Sequence, residues 1–285
     1  MKKYLKLIRA HHYIKNLLIF AALACSGNIF VLSKLKSTII AFVAFCSVSS
    51  VVYIINDIRD LEKDKLHPTK CMRPLASGAI SLKKAYIVLG FLIVAAIGCS
   101  FLLYNIYAFL LILLYLVLNL LYSFGLKNYP IIDISILVSG FLIRIYYGAI
   151  VTGISISNWL YLTVLAIAFF LAMGKRRNEL KTVGSDTRNV LKGYPIGFLE
   201  KGMTMCLTLT NVFYALWTTD KTTIASYNKF LIFTVPIVLL ITLKYSINIE
   251  GDSDGDPVEV LLHDKVLLVL CTAYMLSMFV ILYIV

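Results

Sequence analysis

The chain has 285 residues, 60% of them hydrophobic and 15% charged, with a mean hydropathy of +0.87 and a formal net charge of +12. A soluble domain of this size carries roughly 25% charge, so the composition excludes an ordinary water-soluble fold. The basic excess then reads as membrane topology and anionic lipid or phosphate partners, not nucleic acid.

The N-terminal stretch "MKKYLKLIRAHHYIKN" sets Tyr4, Leu5 and Ile8 toward one side, and Lys2, Lys3, Lys6 and Arg9 mostly toward the other. Residues 1–15 are therefore expected to form a short amphipathic helix on the membrane surface. No small-residue cleavage site follows, so the next apolar run is read as a first transmembrane helix and not a removed signal peptide. Apolar runs long enough to span a bilayer recur from there on. Nine spans are expected, near 16–33, 37–58, 83–103, 106–124, 131–152, 158–174, 199–218, 229–247 and 265–284. The first is the weakest, because Ser26, Gly27 and Asn28 interrupt it. No linker or repeat of fixed period divides the chain, so residues 1–285 read as one all-α, polytopic membrane domain.

Basic residues alternate between the connections. The N-terminus and the segments around 59–84, 125–130 and 175–201 hold 20 of the 27 Lys and Arg residues. By the positive-inside rule these segments face the cytoplasm, which puts the N-terminus inside the cytoplasmic membrane and the C-terminus outside. The six cysteines (25, 46, 71, 99, 206 and 271) form no CxxC pair and read as small apolar residues in or beside helices. Oligomeric state is left open, self-association included.

The densest chemistry is "NDIRDLEKDKLHPTKCMRP", residues 56–74. On a helix, Asp57, Asp60 and Asp64 fall within about 60° of one another. Three carboxylates on one stripe repel unless a cation sits among them. Asn56 adds a neutral oxygen donor beside them. Magnesium is the suited ion, since it takes one or two carboxylates together with phosphate oxygens. Lys70 and Arg73 follow at once, the latter fitted to bidentate phosphate recognition, with Pro68 and Pro74 stiffening the loop. The bland reading is a charged interfacial loop with an Asp60–Lys63 pair. The regular N-D-x-x-D-x-x-x-D spacing favours the metal–phosphate reading.

Further along, Tyr122, Lys127, Asp133 and Arg144 are candidates. Lys127 reads equally as a topology anchor. Arg144 lies near the middle of the fifth expected span, where a charge costs roughly 2.5–3.5 kcal/mol on insertion scales. It is expected to face a cavity, with a lipid phosphate or a carboxylate as counter-ion. Asp133, eleven residues earlier, lies close to the same helix face. Lys175, Arg176 and Arg177 are either a basic membrane-end anchor or a metal-free phosphate site. Asp252, Asp254 and Asp256 imitate the start of a calcium loop, but Pro257 and His263 stand where Gly and Glu are required. They read as a polar loop.

"NDIRDLEKD" resembles the first Asp-rich motif of the UbiA superfamily of intramembrane prenyltransferases. That resemblance implies a ring of nine transmembrane helices around a central cavity, and aspartates that hold Mg²⁺ and a substrate diphosphate. A second Asp-rich motif is usual in the superfamily; here the matching stretch is "MGKRRNELKTVGSDTRN", with only Glu179 and Asp186 acidic. "HPTKCMRPLASG", "YSFGLKNYPIIDISILVSGFLIRIYYGA", "GKRRNEL" and "GDPVEVLLHDK" look like the decaprenyl-phosphate phosphoribosyltransferases, a likeness running from about residue 9 to about 265. "RAHHYIKN" matches that family at Lys15 and Asn16, with His12 and Tyr13 where Gln and Trp are more usual. The resemblance implies transfer of a 5-phosphoribosyl group from phosphoribosyl pyrophosphate to a polyprenyl phosphate. Asp57, Asp60 and Asp64 would hold Mg²⁺, Lys70 and Arg73 would assist the leaving diphosphate, and Lys175, Arg176 and Arg177 would take the 5-phosphate. The rival readings are a Mg²⁺-dependent prenyltransferase with an aromatic acceptor, and a transporter using the acids as an ion site.

Overall fold

The computed structural model describes residues 2–67, 69–184, 188–250 and 257–284, so Pro68, Asp186, Asp252, Asp254 and Asp256 lie outside the described residues. The described chain is helical throughout: α1 (Lys2–Leu7), α2 (Ala21–Cys25), α3 (Leu32–Arg59), α4 (Leu61–Lys65), α5 (Leu82–Leu102), α6 (Ile106–Phe124), α7 (Ile132–Thr152), α8 (Asn158–Val183), α9 (Ile196–Thr219), α10 (Lys221–Ser226), α11 (Val235–Glu250), α12 (Pro257–His263) and α13 (Lys265–Tyr283). Large apolar side chains such as Phe91, Val94 and Phe101 of α5 face outward, as a bilayer requires of helices whose backbone bonds are met internally. This is a multi-pass membrane protein.

Among the described residues seven helices, not the expected nine, are long and apolar enough to cross a membrane: α3, α5, α6, α7, α8, α13, and α11 with the 3₁₀ turn before it. The two shortfalls have physical causes. The expected first span is a 3₁₀ segment, Ala10–Phe20, followed by the five residues of α2. It stops where Ser26 Oγ donates to the Leu23 carbonyl, Asn28 Nδ2 donates to the Ser26 carbonyl, and Gly27 turns at φ +70°. Those side chains offer the backbone an alternative to helix. The second, α9, is a full 24-residue helix whose Glu200, Lys201, Asn211 and five threonines dilute its hydropathy. A third difference matters more for function. The segment after residue 174, expected as a loop, continues α8 to Val183, because Lys, Arg, Glu and Leu are good helix formers.

The chain divides into two compact units, and one of the points where it passes between them lies inside α7. The first comprises Met1–Ala21, Val31–Phe124 and Ile143–Gly153. Its central element is α3, whose apolar window is 67% buried against 11% for α13, so α3 has protein on most sides. α3 packs against α5, α6 and the 3₁₀ segment. Ala41, Ala44, Ser47 and Ser50 let those neighbours approach, and Ser47 returns its hydroxyl to the i−4 carbonyl of Val43. The core around Phe45, Val48, Ile112, Tyr115 and Tyr147 fixes α3, so its last turn presents Asp57 from a rigid base. Leu7 of α1 is fully buried and packs with Val51, Ile54, Leu75 and Ile80. Leu7 thus docks the N-terminal segment on protein.

Gly148 of α7 lies against the backbone of Ile19, and a Cβ there would sit 1.9 Å from the Ile19 carbonyl oxygen. Only backbone movement relieves such an overlap. Gly148→Ala is expected to destabilise the protein by about 1–3 kcal/mol, read as a lower thermal midpoint in detergent. An unchanged midpoint would mean the two backbones do not approach this closely in solution.

The second unit comprises Ala22–Phe30, Gly125–Leu142 and Ile154–Val285. Its core joins Ile134, Val138, Phe170, Met173, Leu191, Leu199 and Met203. α8 and α9 pack closely where Gly202 meets Met173 and Gly174 meets Met203. This packing holds the charged last turns of α8.

Candidate active site

The acidic stretch sits where α3 ends. Asp57 is in the last turn of α3, Asp60 is the bend between α3 and α4 (φ −91°, ψ 9°), and Asp64 lies on α4. The i−4 bonds continue through the bend, Asp60 N–H to the Asn56 carbonyl at 2.9 Å and Asp64 N–H to the Asp60 carbonyl at 2.8 Å. The helical stripe read from the spacing therefore survives as one slightly broken run. The environments of its acids differ sharply. Asp57 and Asp64 are buried, whereas the Asp60 side chain is 27% exposed, with Arg59 Nε 4.0 Å away.

Arg73 returns to this cluster after the 3₁₀ turn Lys70–Met72. It takes an extended conformation (φ −63°, ψ 146°) ahead of Pro74, as a residue before proline prefers. Its Nη1 donates to Asp64 Oδ2 at 2.6 Å and to Asp57 Oδ1 at 3.2 Å. A second guanidinium, not among the sequence candidates, completes the group: Arg9 Nη2 donates to Asp57 Oδ1 at 2.7 Å and its guanidinium lies over the Tyr53 ring at 4.6 Å. Lys70 is exposed and outside the cluster, and Asn56 is half-buried one position from Asp57.

The donor set tests well against a hard divalent cation. One nitrogen, Arg73 Nη1, is 2.6 Å from Asp64 Oδ2 and 3.2 Å from Asp57 Oδ1, so a single guanidinium bridges the two carboxylates. All donors are oxygens, as Mg²⁺ requires. Among the described residues no three His, Cys, Asp or Glu side chains come together as a metal site, so Asp57, Asp60 and Asp64 do not converge as a triad in this structure.

Arg144 forms a separate node in the first unit. It is 8% exposed. Its Nε donates to Asn16 Oδ1 at 2.8 Å, Nη2 donates to the Tyr115 hydroxyl at 3.3 Å, and the guanidinium lies over the Phe45 and Tyr115 rings at 4.9 and 5.1 Å. Asn16 Nδ2 in turn donates to Cys46 Sγ at 3.2 Å. Asn16, one of the two residues that match the family's N-terminal motif, here accepts from Arg144 and holds it in place. The aromatic faces and the amide oxygen supply the partners that a cation inside a membrane helix needs. Lys15 and Tyr122 of the same unit are half-buried.

The second unit holds the basic turn of α8. Lys175 is half-buried, while Arg176 and Arg177 are 1% and 2% exposed. Arg176 Nε donates to Asp133 Oδ2 at 2.5 Å and Nη1 donates to Glu179 Oε2 at 2.7 Å. The other Asp133 oxygen accepts from the Tyr194 hydroxyl, whose oxygen accepts at 2.6 Å from the N–H of Ile131 in a positive-φ turn (φ +67°). Burial, and then the bond to Asp133, raise the Tyr194 hydroxyl above its ordinary pKa, so it stays a donor. Arg177 bonds Glu250, Glu200 at 3.2 Å and the Ile249 carbonyl, which Asn178 Nδ2 also reaches at 3.0 Å. These two arginines, expected to lie open for a phosphate, are engaged by carboxylates; only their partners differ in accessibility. The side chains of Glu179, Glu200 and Glu250 are 25%, 45% and 60% exposed, whereas Asp133 is fully buried. Lys127 lies half-buried on the 3₁₀ turn Leu126–Asn128.

The structure therefore joins Asp57, Asp64 and Arg73 in one group and Asp133 with Arg176 in another. It sets Arg144 with Asn16, and leaves Lys70 outside. The sequence reading missed Arg9, Tyr194, Glu200 and Glu250. Their partners lie 48, 61, 23 and 73 positions away, too far for any local spacing to announce them.

A protein 35% identical, the decaprenyl-phosphate phosphoribosyltransferase of Corynebacterium glutamicum, aligns over 98% of this chain and 86% of its own length. The enzyme of that name from Mycobacterium tuberculosis is 33% identical over 94% of this chain and 90% of its own. Among solved structures, a UbiA homolog from Archaeoglobus fulgidus bound to GPP and Mg²⁺ shares the fold with a TM-score of 0.73 at 18% identity, covering 98% of this chain and 99% of that one. The UbiA prenyltransferase family profile matches residues 17–262. With the matching helices and the acidic stretch at the end of α3, the chain belongs to the UbiA prenyltransferase family.

Proposed function

We propose that this chain transfers the 5-phosphoribosyl group of phosphoribosyl pyrophosphate to a polyprenyl phosphate, releasing diphosphate. The observation that carries this reading is the Asp57–Arg73–Asp64 group, two carboxylates that share one cation, in a chain similar over nearly its whole length to proteins named decaprenyl-phosphate phosphoribosyltransferase.

Asp57, Asp60 and Asp64 are the residues assigned to hold Mg²⁺. Bound there, the ion would neutralise charge on the leaving diphosphate. Arg73 is assigned to the diphosphate oxygens, where a guanidinium fork stabilises charge that grows as the C1–O bond breaks. The lipid phosphate is already an anion and forms the new C1–O bond without a general base. One bond forms as one breaks, and the diphosphate leaves with the electron pair. Lys175, Arg176 and Arg177 are assigned to the 5-phosphate, a group that a prenyl diphosphate lacks. Arg176 and Arg177 would exchange their solvent-exposed glutamates for phosphate oxygens, while Asp133 keeps Arg176 in place. Lys127, Tyr122, Lys15 and Arg144 are further residues assigned to substrate binding. By the basic-residue bias the N-terminus and this chemistry face the cytoplasm.

The test is diphosphate release by detergent-purified protein with Mg²⁺, phosphoribosyl pyrophosphate and a polyprenyl phosphate. Release is expected only when the lipid is present, and a chelator should abolish it. Parallel reactions carry a prenyl diphosphate and an aromatic acid. Turnover confined to that second pair would overturn the phosphoribosyl reading in favour of a prenyltransferase.

A further inference from the structure

We infer that Arg9 is a further diphosphate-binding residue, held on Asp57 until Mg²⁺ and diphosphate arrive and then donating to the diphosphate oxygens. The inference rests on the leaving group assigned above, but not on the identity of the group transferred.

Four observations carry it. First, the contact is close and charged: Arg9 Nη2 lies 2.7 Å from Asp57 Oδ1, the same oxygen that Arg73 reaches at 3.2 Å. Second, the Arg9 side chain is 21% exposed and Arg73 30%, while Asp57 is 3%. Both guanidinium side chains are thus more accessible to an incoming phosphate than the acid they bind. Third, the backbone is built to deliver this side chain. Leu7 is a fully buried anchor, Ser50 Oγ donates to the Ile8 carbonyl at 3.0 Å, and Arg9 itself turns at φ 52°, ψ 50°. A non-glycine residue is held in that region only when its surroundings over-determine it, and such strain clusters at functional sites. Tyr53 lies under the guanidinium and fixes its plane.

Fourth, each charge meets an opposite one in both states. Arg9 and Arg73 together neutralise Asp57 and Asp64 in the structure. When a divalent cation takes the carboxylates, the two guanidiniums lose their partners and would repel it. A diphosphate resolves the conflict by accepting both. Metal and diphosphate binding are thereby made mutually dependent, and Arg9 supplies the second guanidinium of the pair.

The experiment measures binding of inorganic diphosphate to the purified full chain by calorimetry, with and without Mg²⁺, so its outcome is independent of which group the enzyme transfers. A lost charged hydrogen bond is expected to weaken diphosphate in Mg²⁺ by about 10-fold or more for Arg9→Gln, with Arg9→Lys falling between it and the parent. Lys6→Ala, which removes an exposed charge from the same segment, should leave binding unchanged. Arg9→Gln keeps a donor for Asp57, so the fold is retained and the thermal midpoint verifies it. Diphosphate affinity within twofold of the parent in Arg9→Gln would overturn the inference and leave Arg9 a structural counter-ion. So would an equal weakening in Lys6→Ala, which would mean only the general charge of the segment matters.

Discussion

Asp60→Asn is expected to lower diphosphate release by about two to three orders of magnitude while leaving the thermal midpoint of the protein in detergent unchanged. The reason lies in how differently the three acids are housed. Asp60 caps the bend between α3 and α4 with its side chain 27% exposed, and the salt-bridge distance to Arg59 is a long 4.0 Å. It is more exposed than Asp57 and Asp64, so its charge contributes less to the fold. Asp57 faces two guanidiniums from a site only 3% exposed. Removing that charge leaves Arg9 and Arg73 facing an uncharged side chain. Because both arginines are partly exposed, the loss is at the low end for buried ion pairs, about 1–3 kcal/mol. Asp57→Asn should therefore lose activity and stability together, and Asp60→Asn activity alone. Full turnover by Asp60→Asn at saturating Mg²⁺ would remove Asp60 from the metal site. A midpoint that falls as far as that of Asp57→Asn would make Asp60 structural.

The fold was legible where a single periodicity carried it. α5, α6, α7 and α13 begin and end within about two residues of the apolar runs, because hydrocarbon thickness sets span length. Legibility failed at the two ends of the hydropathy scale. Ser26, Gly27 and Asn28 were visible as an interruption, but not the 3₁₀ winding before them, which depends on packing against α3. Past residue 174 the charges read as loop, although helix propensity favours continuing. In the site, the spacing of Asp57, Asp60 and Asp64 announced a helical acid stripe, and the following Arg73 announced its counter-charge. Local spacing could not tell that Asp57 also holds Arg9, nor that Arg176 already holds Asp133 and Arg177 holds Glu200 and Glu250. Those partners come from the N-terminal segment, from α7, α9 and α11, and only tertiary folding brings them in.

Asp133→Asn is expected to cost about 3 kcal/mol or more, seen as a large drop in thermal midpoint and in the yield of folded protein. Asp133 is fully buried and its partner Arg176 is 1% exposed, at 2.5 Å. Removing one charge of such a pair leaves the other desolvated and uncompensated. Glu179 at 2.7 Å from Arg176 Nη1 limits the loss, but it is part exposed and reaches the other side of the guanidinium. Tyr194→Phe should fall between the parent and Asp133→Asn. It removes one charge-assisted bond, worth about 1.5–3 kcal/mol, and also the acceptor for the Ile131 N–H in its positive-φ turn. The same variants decide what Asp133 is for. If Asp133→Asn is folded and stable but needs more phosphoribosyl pyrophosphate to reach half its maximal rate, Asp133 meets the substrate directly, as its place in the sequence suggested. If it unfolds, while Glu179→Gln folds normally and only its donor KM changes, then Asp133 is the fixed anchor of Arg176 and Glu179 the partner that a phosphate replaces.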